Sequence, residues 1–145
     1  MPEDRITIEE WRLLSIFQEF TGAVAYRCIE DVENNKLYFL VNPADIGKAI
    51  GKRGINVKML SKMFGKQVEI VPYRPDMTLE EFLSKLLMGA RIISIKSIEK
   101  NKEKRLIVKV EEADKGKAIG RGGRNIERAR KILKTLYGID KVIIS

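Results

Sequence analysis

Residues 47–57 read GKAIGKRGINV and residues 116–126 read GKAIGRGGRNI, so one unusual run occurs twice in a chain of 145 residues. Eight of the thirteen positions from 45 to 57 recur identically 69 places later. Glycines, a buried-looking Ala-Ile pair and basic residues all repeat together, which a bias in composition does not produce. Internal periodicity settles architecture ahead of any local reading, because each copy has to be one structural unit. The chain therefore reads as two copies of one module, 1–72 and 73–145, each organised around a glycine-basic loop.

The remaining sequence fits that frame. Thr7 and Glu10 have capping-box spacing ahead of a helix over 7–20, whose stripe is Ile8, Trp11, Leu14 and Phe17 or Gln18. Gly22 ends it. A β-rich stretch over 23–32, the turn Asn34-Asn35 and the apolar strand 36–41 read as a hairpin. Asn42 caps a short helix over 43–50 with Pro43 at its first position. The loop 51–54 leads to a helix over 55–64, with Val57, Leu60 and Phe64 facing inward, and then to a strand over 67–71.

After the stiff PYRP connection at 72–75, Thr78 and Glu81 repeat the capping box. Leu79, Phe82, Leu83 and Leu86 supply the apolar face there. Strands over 91–98 and 105–110 pair around a charged turn at 99–104. A short helix over 114–119, the loop 120–123, a helix over 124–137 and a strand over 139–144 complete the copy. Phe64-Gly65 aligns with Tyr137-Gly138 only at an offset of 73, four more than upstream. Four residues is about one helical turn, so the second copy is expected to carry a helix one turn longer. The fold class is α+β: each module runs helix, strand, strand, helix, helix, strand, giving a three-stranded sheet with helices on one face.

Bodies of about 70 residues bury only ~60 % of their unfolded surface, so two such modules gain by packing together and are expected to be rigidly coupled. The net charge of +8 is uneven: 1–72 holds ten basic and ten acidic residues, whereas 73–145 holds 18 and 10. Even so, 46–68 contains six basic residues and no acid, and 115–134 contains eight and only Glu127. Each positive segment starts at the repeated motif, which points to a polyanion. With one cysteine, Cys28, and no histidine, the chain offers no internal disulfide, no Cys/His metal site and no histidine-based catalysis. No catalytic residue, metal or cofactor is expected. No apolar run approaches the ~20 residues that span a bilayer and no signal-peptide pattern opens the chain, so no membrane partner and a cytoplasmic location are expected.

A Gly-x-x-Gly turn between two helices brings backbone close to a ligand, because glycine permits positive φ and has no Cβ in the way. The turn also feeds a helix N-terminus, whose N–H groups favour an anion. Lys52, Arg53 and Arg121 add charge at the tips, so a phosphate backbone suits these loops and a neutral metabolite would not need them. A P-loop is excluded, since residues 47–53 have one residue too few between glycines and Arg53 stands where magnesium-binding Ser or Thr belongs. Asn125 occupies the third glycine of a dinucleotide fingerprint. The pairs Glu9-Glu10 and Glu80-Glu81 read as first-turn caps, and Trp11 and Phe82 as core anchors.

Ile50-Gly51-Lys52-Arg53-Gly54 followed by Val57, and Ile119-Gly120-Arg121-Gly122-Gly123 followed by Ile126, resemble the signature of KH domains. The leading helix and strand match the type II arrangement, and the tandem pair is similar to the archaeal NusA-like transcription factors over almost the whole chain. The resemblance implies single-stranded RNA as ligand, with Gly51, Lys52, Arg53 and Gly54, and Gly120, Arg121, Gly122 and Gly123, clamping its backbone. Lys48, Lys58 and Lys62, and Lys117, Arg124, Arg128 and Lys131, are the candidates to track phosphates; Arg124, Arg128 and Lys131 share one helix face. Two roles are open to Asn56 and Asn125: a bond to a base or sugar, or a local bond at the helix start.

The resemblance also implies transcription elongation or termination, with RNA polymerase as a further partner. Nothing precedes the first module, so the polymerase-binding and OB-fold regions of bacterial NusA are expected to be absent and no residue here carries that contact. The alternative is a protein-interaction scaffold on RNA polymerase or the ribosome with secondary RNA contacts. One RNA strand is expected to run across both loops, with the second dominating affinity.

Overall fold

A parallel pair of strands cannot be closed by a tight turn and needs a crossover, and in this protein that requirement places the loop. A computed structural model describes residues 6–145. Helix α1 (Ile8–Thr21) precedes β1 (Ala25–Asp31) and β2 (Lys36–Val41), which pair antiparallel. A 3-10 turn (Pro43–Asp45), α2 (Ile46–Ile50), the loop and α3 (Ile55–Phe64) then cross to β3 (Gln67–Pro72), which lies parallel to β2. The second copy repeats the plan with α4 (Leu79–Leu86), β4 (Ile92–Lys100), β5 (Glu103–Val110), α5 (Lys115–Ile119), α6 (Arg124–Tyr137) and β6 (Lys141–Ile144). The strand orders are β1-β2-β3 and β4-β5-β6. Even the bulge recurs, between Ala25 and Arg27 and between Ile92 and Ser94. The described residues form two compact units, Ile6–Asp76 and Met77–Ser145.

In the first unit Leu14 and Phe17 of α1, Leu37, Phe39 and Val41 of β2, and Leu60 of α3 make one core. Phe17 stacks on Phe39 at 4.2 Å between ring centroids. The repeated alanines, Ala49 and Ala118, are both fully buried, which explains a small residue there. In the second unit Phe82 and Leu83 of α4, Val108 of β5 and Ile132 and Leu133 of α6 are buried likewise. Helix α6 has 14 residues against 10 in α3, the additional turn expected from the change of offset.

Three expectations need correction. Ile8 and Trp11 are 79 % and 65 % exposed, so Trp11 is not a core anchor. Helix α1 is rotated to turn Glu10 inward, where its carboxylate accepts from Arg27 Nε at 2.6 Å and from the Cys28 amide at 3.0 Å. The capping box at Thr7 is consequently half made: Thr7 Oγ1 accepts from the Glu10 amide, but the Glu10 side chain is spent elsewhere. At Thr78 and Glu81 both halves form. The broad turn expected over 99–104 is instead a tight one, with Asn101 (φ 53°) and Lys102 (φ 66°) both left-handed, as a two-residue hairpin loop demands.

Candidate nucleic-acid interface

Helix α2 ends at Gly51 (φ 77°, ψ 169°) and α5 at Gly120 (φ 81°, ψ 166°). Each closing glycine is left-handed, at φ 73° for Gly54 and 77° for Gly123. Between them Arg53 (φ 57°, ψ 27°) and Gly122 (φ 64°, ψ 18°) hold the same conformation. The Gly54 amide bonds Gly51 O at 3.1 Å and the Gly123 amide bonds Gly120 O at 3.0 Å. The two loops are thus one structure built twice from different residues.

The asparagines hold that structure. Asn56 Nδ2 donates to Lys48 O at 2.9 Å and Asn125 Nδ2 to Lys117 O at 2.7 Å, lacing the short helix to the start of the next across the loop. Neither of the alternatives framed from sequence describes this bond, which spans eight residues rather than one helical turn. It also explains the first glycine, since a Cβ on Gly51 or Gly120 would stand 2.8 Å from the asparagine Cγ. Nothing lies within 4 Å of a Cβ on Gly54, so that glycine serves its φ and leaves the approach open. No side chain caps α3 or α6; the first amide of each is taken by the loop's own turn, Ile55 N–H donating to Lys52 O and Arg124 N–H to Arg121 O.

A repeated aspartate fixes the entry to each short helix. Asp45 Oδ2 accepts from the Val24 amide at 2.8 Å, and Asp114 Oδ2 from both the amide and Nε of Arg91 at 2.9 Å. The Arg91 side chain, then its amide, holds the Asp114 carboxyl down at about 2. In the first core, burial and then the Glu10 charge push the Cys28 thiol up to about 12, so it stays protonated.

The structure gathers most of the candidate cations at the loops. Lys52, Arg53 and Lys58 line, with Ile55, an open depression of about 600 Å³. Lys52, Arg53, Lys58, Lys62, Arg121 and Arg124 are exposed and make no ion pair among the described residues. Lys48 and Lys117 stand 3.9 and 3.7 Å from Asp45 and Asp114, loose contacts that leave both exposed. Arg128 differs: its Nη2 donates to Leu86 O at 2.7 Å, at the end of α4. Lys131 is half-buried. The shared helix face of Arg124, Arg128 and Lys131 therefore turns partly into the module. The repeat carried a sign of this, because Arg128 aligns with Met59, an apolar position in the first copy. Only half of each repeated Ala-Ile pair is buried as expected: Ile50 and Ile119 are 36 % and 40 % exposed at the ends of α2 and α5. Ala49 and Ala118 take the buried places.

A three-stranded sheet whose parallel crossover is a helix, a Gly-x-x-Gly turn and a second helix defines the KH module, here in tandem. The family described as "NusA-like second KH domain" matches residues 23–74 and again 79–141. The chain belongs to this NusA-like KH family. It is 31 % identical over 140 residues to "Probable transcription termination protein NusA" of Halococcus morrhuae, covering 95 % of this chain and 97 % of that one. The protein of the same name from Methanocaldococcus jannaschii is 29 % identical over 142 residues, covering 98 % of this chain and 75 % of that one. The crystal structure of APE1850 superposes with a TM-score of 0.85 at 47 % identity, covering 97 % of this chain and 100 % of that one. Among the described residues no group of His, Cys, Asp and Glu could hold a metal, and no helix is long and apolar enough to cross a membrane.

Proposed function

We propose that this protein binds single-stranded RNA through both Gly-x-x-Gly loops and acts as a NusA-like factor in transcription elongation or termination. The observation that carries the reading is the loop built twice. In each copy left-handed glycines open the backbone, the following helix has no side chain over its N-terminus, and unpaired cations stand at the tip. Phosphate meets the cations at the helix N-terminus, while bases rest against the exposed Ile50 and Ile119. The role in transcription is supported by the archaeal relatives named as termination proteins, and RNA polymerase is the protein partner that such a role requires.

The test is a 12-mer of uridine in fluorescence anisotropy. Charge reversal of Lys52 and Arg53 together, or of Arg121 and Arg124 together, is expected to weaken binding about tenfold or more in at least one pair, with far-UV circular dichroism unchanged. The salt dependence should flatten, losing about 0.7 in log-log slope for each phosphate contact removed. Equal affinity in the variant combining all four changes would refute RNA binding by the loops.

A further inference from the structure

Strand β4 is the edge of the second sheet, and seven of its nine residues are exposed, whereas β1 in the first sheet has five of seven buried. Pairing registers fix what the open face presents. Lys96, Ile107 and Ile143 form one row across the three strands, and Ile98, Arg105 and Lys141 form the next. Lys109 opposite Ser94 and Lys100 opposite Glu103 bound the patch. The helix-facing rows are different: Leu106, Val108 and Val142 are buried. Loop 120–123 joins two helices of that covered side, so this face lies away from the loop.

The patch carries five basic side chains against one acid, with Ile98 and Ile143 41 % and 40 % exposed among them. Glu103 is taken up by Arg105 at 2.6 Å and Lys141 at 3.7 Å. Lys96, Lys100 and Lys109 make no ion pair among the described residues. We propose that β4 and this open face form a protein-docking site that takes an acidic, extended polypeptide segment of a partner.

Three features select that occupant. An edge strand offers unpaired N–H and C=O groups to an added strand. Lys96 and Lys100 repel a second basic copy of the same edge, which leaves the edge open to a strand of opposite charge. An extended chain brings every second side chain to one face at about 6.8 Å intervals, so alternating acids and aliphatics can meet lysines and isoleucines together. RNA fits less well. The face has no aromatic ring on which a base could stack, its one arginine is engaged by Glu103, and a phosphate backbone has no apolar surface to match the isoleucines.

The probe is a labelled eight-residue peptide of alternating glutamate and valine, with lysine in place of glutamate as control, titrated into the full chain. The glutamate peptide is expected to bind and to shift amide resonances of β4 and β5; the control is not. Lys96→Glu with Lys109→Glu should weaken it about tenfold, and Ile98→Ser with Ile143→Ser at least about threefold, while the uridine 12-mer binds as before. No binding by the unaltered protein, or equal binding by both double variants, overturns the proposal. Loss of uridine binding in the lysine variant in step with the peptide also overturns it, and would assign the face to RNA.

Discussion

Arg53 and Gly122 occupy equivalent positions in the two loops, and their backbones agree within ten degrees. A side chain in the left-handed region costs about 1–2 kcal/mol, offset by roughly 0.5–1 kcal/mol of chain entropy that glycine would lose on folding. The first loop therefore holds a cation at this position against its own backbone preference, and the second loop has glycine there. Arg53→Gly is accordingly expected to stabilise the protein by roughly 0.5–1 kcal/mol and to weaken the uridine 12-mer. Thermal unfolding and anisotropy check the two halves together. A stabilised variant that binds undiminished would remove Arg53 from the RNA contacts and leave it a strained surface residue. Gly51 and Gly120 obey a different constraint, since Asn56 and Asn125 already fill the space beside them. Glycine at one end of the motif is thus demanded by packing as well as φ, and at the other by φ alone.

At the scale of elements, each short helix is hung from the start of a strand by a single aspartate, and in the second module that link senses pH. The Asp114 carboxyl sits at about 2 in the folded protein against an ordinary 3.8. A depressed acid contributes stability that is fully present above its ordinary value and is lost as pH falls through the folded one. The contribution should hold from neutrality to about pH 4 and be gone below about pH 2. Asp114→Asn should be less stable than the parent in urea at neutral pH, and the two should converge as pH falls through that window. Curves that stay equally far apart at every pH would mean the aspartate acts by geometry alone. The helices, the cap at Thr78 and the longer α6 were legible because 3.6-residue spacing, cap spacing and glycine stops are local signals. The rotation of α1 was not: it depends on Glu10 finding Arg27, seventeen residues away, and no periodicity encodes a partner. The tight turn at Asn101 and Lys102 was hidden for another reason. Charged residues flank it on strands that face water, so the alternation that marks a strand is faint there.

Across the whole molecule the surplus positive charge belongs to the second half, but it does not collect at the second loop. Lys96, Lys100, Lys109 and Lys141 lie on an open sheet face, and Arg128 is drawn to the end of α4. The first half is neutral overall, yet Lys52 and Arg53 of its loop and Lys58 and Lys62 of the helix after it stand unpaired. Electrostatic affinity for a polyanion follows the phosphates neutralised, not the net charge of the chain that neutralises them. The first loop is therefore expected to supply the larger salt-dependent share of RNA affinity, contrary to a reading from charge totals. Lys58→Ala with Lys62→Ala should lower the log-log salt slope for the uridine 12-mer by about 1.4. Arg128→Ala should leave that slope unchanged and instead cost about 1–3 kcal/mol of stability, because the Leu86 carbonyl loses its charged donor. Salt titrations of the two variants, paired with urea unfolding of Arg128→Ala, separate these outcomes. A lowered slope in Arg128→Ala would mean that its guanidinium leaves Leu86 to meet RNA. The second module would then hold a cationic face that opens only on binding.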